Sequence, residues 1–460
     1  MTDGVGKAGL GAPGTDDPDV SGTGGTGTNG MKTDGMKTGG VQADGVGSGA
    51  ADPGEADDDA GTSGAGSAGA TERRFATRLT HEGRPGSRVA GLVNTPVHRG
   101  STVLQPNLAA RREAGRRGLE QALVYGVMGN ATHHALEDVV AGIEGGTRCQ
   151  VVSSGLAAVT AALLAFLDSG DHLLMPDSVY APSRVFCDGM LRRMGVETTY
   201  YDPLVGAEAL ATLLRPRTRA LFLESPGSHT FEVQDVPALA AVARARGVCV
   251  MLDNTWGVHH FQPFRHGVDV SIQALTKYVA GHSDVLLGAI VTNDPAMWAR
   301  VRGAALELGH YASPDDCWLA LRGARTMAVR LAHQHAAGLR VAGWLAEQPQ
   351  VLRVLHPGLE GAPGHAIWKR DFTGASSLFG VVFQPRYGQA GVNALLDGLS
   401  LFGIGASWGG FESLVLPTSG TLTRTVESGV LGGPAIRVHV GLEDTDDLIE
   451  DLAAGLAGMG

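Results

Sequence analysis

The sequence predicts an α/β protein, with a mostly parallel central sheet and a smaller C-terminal α+β domain, and three observations predict it. Short apolar runs recur along the chain with helix-patterned stretches between them. Those runs are continuous rather than alternating, as expected of strands covered on both faces. After about Gly323 the texture changes to a long helical stretch followed by alternating strand-like segments.

In chain order, Cys149–Ser153 reads as a strand, and Leu156–Leu167 as an apolar helix opened by Ser153, Ser154 and Gly155. His172–Met175 and Ala220–Leu223 read as strands, the latter stopped by Glu224-Ser225-Pro226. Val236–Arg246 reads as a helix ended by Gly247, a favoured residue just past a helix C-terminus. Val248–Leu252, Val268–Ile272 and Val285–Val291 complete the apolar series. Helix Ala324–Glu347, strand Leu378–Phe383, a helix near Val392–Leu399, strand Ile436–Val440 and the amphipathic helix Asp444–Met459 follow. The organisation expected is a tail over 1–70, an N-terminal arm over 71–130, a cofactor-sized sheet domain over 131–323 and a C-terminal domain over 324–460.

The tail has 21 glycines, 11 acidic residues, 3 basic ones and no aromatic residue, too little apolar surface to offset the entropy of ordering it. It carries most of the formal charge of −11 and leaves 33 basic against 36 acidic residues in 71–460. A near-neutral body gives no electrostatic reason to expect nucleic acid as a partner. No apolar run approaches the ~18 residues that would cross a bilayer, and no membrane partner is expected. The N-terminus lacks the plan of a secretory signal. Cys149, Cys187, Cys249 and Cys317 stand far apart, as reduced thiols of a cytoplasmic protein would.

Lysine usage is the most informative local fact. The chain has 31 arginines and 5 lysines, and residues 71–460 keep only Lys277 and Lys369. Arginine stays protonated and cannot form an imine, whereas lysine can lose its proton and attack a carbonyl. Lys369 lies in the polar run Trp368-Lys-Arg-Asp, which suits a solvated surface; Lys277 follows an apolar strand and Thr276. Asp253 ends the strand Val248–Leu252, at the strand end where ligands of open α/β sheets bind. A carboxylate there could cap a helix, bind a metal or pair with a protonated pyridine nitrogen. No histidine or carboxylate stands near it at metal-ligand spacing, and no metal is expected. Ser153-Ser154-Gly155-Leu156 offers hydroxyls and free amides at a helix N-terminus, a natural phosphate site.

Taken with these, an ordered set of stretches carries a resemblance. They are Tyr125-Gly126 with Gly129 and Thr132, Leu136-Glu137 with Glu144-Gly145-Gly146, Gly170-Asp171-His172, and Leu223-Glu-Ser-Pro-Gly-Ser. Asp253-Asn-Thr-Trp, Ser271-Ile-Gln-Ala-Leu-Thr-Lys-Tyr and Gly281-His-Ser-Asp continue it. Trp368-Lys-Arg-Asp-Phe-Thr-Gly, Ser407-Trp-Gly-Gly-Phe-Glu-Ser-Leu and Ile436-Arg-Val-His-Val-Gly-Leu-Glu-Asp close it. The sequence resembles the Cys/Met-metabolism family of pyridoxal 5'-phosphate (PLP) enzymes over about residues 75–455.

The resemblance implies a PLP-dependent transferase-like fold of type I and a homotetramer built from dimers. It implies that Lys277 is the Schiff-base lysine, Asp253 the partner of the pyridine nitrogen, and Tyr180 the ring that stacks on the cofactor. Gly155 and Leu156 amides with Thr276 would hold the phosphate, and Tyr125 would arrive from a neighbouring subunit. Arg437 would clamp the substrate carboxylate, helped by Ser407 and Trp408. The Ser-Trp-Gly-Gly form points to the β-lyase branch, hence to cleavage of cystathionine, a small amino-acid substrate, to homocysteine, pyruvate and ammonia. Ala406 lacks the glutamate of γ-acting relatives but also the tyrosine of the β-lyases. A γ-lyase, γ-synthase or cysteine desulfhydrase on the same scaffold is the rival enzyme, and a non-catalytic homologue the rival of another class. One departure is clear: where the family pattern places a phosphate-binding arginine after Tyr-Gly, this chain has Val127, which predicts a loosened cofactor.

Other motifs are bland. Gly4-Val-Gly6-Lys-Ala-Gly9 matches a dinucleotide fingerprint without its preceding strand. The pairs His133-His134, His259-His260 and His333/His335 lack the context of a metal site. His439 shares a strand face with Arg437 and has no assigned role.

Overall fold

The computed structural model describes residues 73–426 and 431–460; the 1–70 tail, with its glycine motif, lies outside them. Seven strands form the larger sheet: β1 (Arg148–Val152), β2 (His172–Pro176), β3 (Glu197–Tyr201), β4 (Thr218–Glu224), β5 (Cys249–Asp253), β6 (Val270–Gln273) and β7 (Gly288–Thr292). Their order is β1-β7-β6-β5-β4-β2-β3. The pairs from β3 to β6 are parallel, and β7 runs antiparallel to both of its neighbours, β6 and β1. The fold class is therefore α/β with a mostly parallel sheet.

Continuous apolar strands buried on both faces explain the sequence pattern. Ala220–Leu223 and Val250–Leu252 have no exposure at all. Their side chains divide between two apolar clusters: Phe222 and Met251 lie with the helix Gly155–Phe166, while Leu221, Leu223, Val250 and Leu252 lie with the helix Val236–Arg244. β3 escaped the sequence reading because Glu197-Thr-Thr-Tyr-Tyr is an edge strand with mixed exposure, carrying no apolar run to announce it. The run Val285–Val291 is only partly strand. Its first three residues form a loop against Thr276, and pairing starts at Gly288 with β1 and at Ala289 with β6.

The second sheet contains β8 (Val351–Leu355), β9 (Leu378–Phe383), β10 (Gly403–Ile404), β11 (Leu414–Pro417) and β12 (Ala435–His439), ordered β10-β11-β12-β9-β8. It packs against the helix Thr445–Ala457 in a core of its own. One helix, Pro314–Ala346, passes through position 323 and contributes to the cores on both sides. Its start was legible but unread: Ser313 caps the amide of Asp315, Pro314 stands at the first position and two aspartates fill the first turn.

Several histidines that looked like ligand pairs serve packing. His133 closes a capping box with Asn130 and bonds the Ala312 carbonyl, and His259 stacks on Phe75. All four cysteines are buried free thiols. No helix among the described residues is long and apolar enough to cross a membrane.

Candidate active site

The carboxyl ends of β4, β5 and β6 open onto a cavity of about 430 Å³. Glu224 and Asp253 are the last residues of β4 and β5 and face each other in register. Beyond β6 the chain turns at Ala274 and presents Lys277 to the same space. Ser154 caps the helix that follows β1 by accepting from Ala157 N at 3.1 Å. The Gly155 and Leu156 amides at that helix start have no acceptor among the described residues. Gly155 is needed there because a Cβ would stand 2.7 Å from the Ala274 side chain. The second sheet supplies Leu416 and Arg437, and the loop between β10 and β11 supplies Ala406, Ser407 and Trp408.

Lys277 Nζ donates to Ser407 Oγ at 2.6 Å and lies 5.4 Å from the Trp408 ring centre. Arg437 Nη2 donates to the Ser407 carbonyl at 3.1 Å. One serine thus touches both cations of the cavity. Burial lowers the Lys277 pKa to about 8, helped by the Arg437 charge and opposed by Asp253. Burial also raises the Asp253 pKa, against its hydrogen bonds from Thr255. Glu224, wholly buried beside Asp253, is raised well above the carboxylate range by desolvation and then by that neighbour's charge. It accepts from Tyr180 N at 2.9 Å, which fixes the backbone of a half-exposed ring at the cavity mouth.

The structure brings together Gly155, Leu156, Tyr180, Asp253, Thr276, Lys277, Ser407, Trp408 and Arg437, all lining this one cavity. Tyr125 does not line it; it is exposed and forms an isolated antiparallel bridge with Thr102. Thr276 Oγ1 is engaged with both the amide and the carbonyl of Leu287. Val127 lies in the short turn Gly126–Met128, and among the described residues Arg437 is the one arginine lining the cavity. Sequence reasoning placed Ser154 at the phosphate site and missed Glu224, Thr255 and His229 as lining residues. Glu224 carried the same signal as Asp253, an acid closing an apolar strand. Nothing local marked His229, whose positive φ of 65° and pKa of about 4 come from the fold around it.

The family model for Cys/Met metabolism PLP-dependent enzymes matches residues 76–457. The chain belongs to that family. A putative cystathionine beta-lyase of Rhizobium johnstonii is 46% identical over 83% of this chain and 95% of its own. Cystathionine beta-lyase MetC of Escherichia coli is 42% identical over 84% of this chain and 99% of its own. The crystal structure of metB from Corynebacterium glutamicum superposes with a TM-score of 0.77 at 27% identity, covering 85% of this chain and 99% of that one.

The cavity suits the family's cofactor. The helix-start amides offer donors to a phosphate, the buried Asp253 offers a negative charge to a protonated ring nitrogen, and Lys277 is an amine of lowered pKa. Lys369, the other lysine of the described residues, sits on the helix His365–Asp371 outside the cavity.

Proposed function

We propose that the protein is a carbon–sulfur lyase converting cystathionine and water to homocysteine, pyruvate and ammonia. The observation that carries this reading is the meeting of Lys277 and Arg437 at Ser407. Bound PLP supplies the electron sink for charge left at the substrate Cα. Asp253 would hold the ring nitrogen protonated, and Tyr180, at the cavity mouth, would cover the ring face. The Gly155 and Leu156 amides, with Ser154 and Thr276 beside them, would hold the phosphate. Arg437 binds the substrate carboxylate through a charge-assisted pair, and Ser407 fixes the guanidinium for it. Lys277, partly neutral near pH 8, would remove the Cα proton onto Nζ and could return it to the departing sulfur.

Product analysis tests the reading. Homocysteine with pyruvate is expected from purified protein, PLP and cystathionine. Cysteine with 2-oxobutyrate would replace it by γ-cleavage, and no product would reject a lyase. The same proposal includes a cytoplasmic homotetramer. Exposed apolar side chains on the N-terminal segment, Leu104 and Leu108 among them, support self-association. Sedimentation velocity at four times the chain mass is the expected result.

A further inference from the structure

We infer that His439 is a positioning residue: it clamps the loop Ser407–Gly410 in the conformation that lets Ser407 touch Lys277 and Arg437 at once. The inference rests on reading the cavity as the catalytic site.

Ser407 is a non-glycine residue at φ 81°, in the left-handed region that L side chains rarely adopt. Such a conformation persists only where neighbours over-determine it, and here they do. Gly409, also left-handed at φ 84°, lies flat on the Lys277–Tyr278 peptide; a Cβ would stand 2.9 Å from the Tyr278 nitrogen. Its amide donates to His439 Nε2 at 3.1 Å. Gln334 Nε2 donates to the Gly410 carbonyl at 2.8 Å. The other ring nitrogen, His439 Nδ1, lies 3.2 Å from Ser377 Oγ. Ser377 in turn donates its amide to the Tyr278 hydroxyl at 3.0 Å. His439 Nε2 also lies 3.3 Å from the Gly410 carbonyl, so the ring meets two consecutive peptide groups of the loop.

The ring reaches no cavity surface. His439 is buried and does not line the cavity, although it sits two residues from Arg437 on β12. It faces Lys277 and Arg437 as charges and Tyr278 edge-on. Burial, with those two cations, drops its pKa to about 3 against the hydrogen bond to the Gly410 carbonyl, so the imidazole stays neutral at any working pH. A histidine spent this way transmits position to the cations and takes no part in proton transfer.

The test uses the full-length protein with PLP, comparing His439→Leu, His439→Gln and Ser377→Ala with the parent. Leucine removes the acceptor for Gly409, while the Oε1 of glutamine can replace it. In His439→Leu, KM for cystathionine should rise about tenfold, more than kcat falls, because Arg437 loses its brace. The pH midpoint of the visible cofactor band should move by about half a unit as Lys277 loses its Ser407 contact. Glutamine should restore both to within about threefold of the parent. An unchanged KM and midpoint in His439→Leu would overturn the inference. So would equal losses in the leucine and glutamine variants that track Tm and cofactor content. If the leucine variant does not fold, Ser377→Ala decides, with a KM increase of about two- to threefold expected and no increase overturning the inference. A parent protein with no visible band in the presence of PLP would overturn the reading of the cavity itself, and the inference with it.

Discussion

At position 277 burial and a neighbouring guanidinium hold a lysine amine near pH 8, where it can exist without its proton. Lys277→Ala should abolish both turnover and the visible cofactor band, since among the described residues no second lysine lines the cavity. Lyase activity undiminished in that variant would remove Lys277 from the reaction. Arg437 acts differently, as a binding group. Arg437→Ala should lower kcat/KM ten- to hundredfold, corresponding to about 1.5–3 kcal/mol for a charged hydrogen-bonded contact. A kcat/KM equal to the parent's would show that the guanidinium does not touch substrate. Lys277 and Asp253 were legible as candidates because each is chemically conspicuous against its surroundings: one lysine among many arginines, one acid closing an apolar strand. Ser407 and His439 were not legible in the same way. Their importance lies in a left-handed backbone and a hydrogen bond across 30 residues of chain.

Among the elements, the helix Ala131–Glu144 ends on a carboxyl group buried beneath the site. Glu144 accepts from Asn254 Nδ2 at 2.9 Å, Ser271 Oγ at 2.6 Å and Gln273 Nε2 at 2.8 Å, tying that helix to the ends of β5 and β6. Desolvation outweighs those bonds and lifts its pKa to about 8. For an acid raised on folding, the unfolded chain releases its proton near 4.5 while the folded one keeps it. Stability is therefore fully present below 4.5 and falls as pH rises toward 8, by at most about 1.4 kcal/mol per unit for one proton. Glu144→Gln cannot release a proton, so its Tm deficit relative to the parent should shrink between pH 5 and pH 8.5. A deficit independent of pH would mean that Glu144 is ionised in the folded protein. The sequence announced the strands that run through the core and the helices with apolar faces. It left β3 and the first turns of Pro314–Ala346 unannounced, because polar edges and polar helix starts carry no apolar periodicity.

For the molecule as a whole, the composition of residues 1–70 predicts that they add nothing to the packed body. A protein starting at Thr71 should keep the parent Tm within about 2 °C, an effect below that of a single typical stabilising contact, along with its kcat/KM. A large fall in either would assign the segment a structural role. The sequence by itself determined the α/β class, the parallel character of most of the sheet, and the lysine and acid that mark its ligand-binding end. These follow from local chemistry: burial on both faces demands continuous apolar strands, and imine chemistry demands an amine that can lose its proton. Tertiary structure alone decided that β7 runs antiparallel, that Glu224 stands beside Asp253, and that the second sheet delivers Arg437 to Lys277 through Ser407. The Lys277–Ser407 contact joins positions 130 residues apart, and no local pattern records a contact whose energy exists only after both segments have left water together.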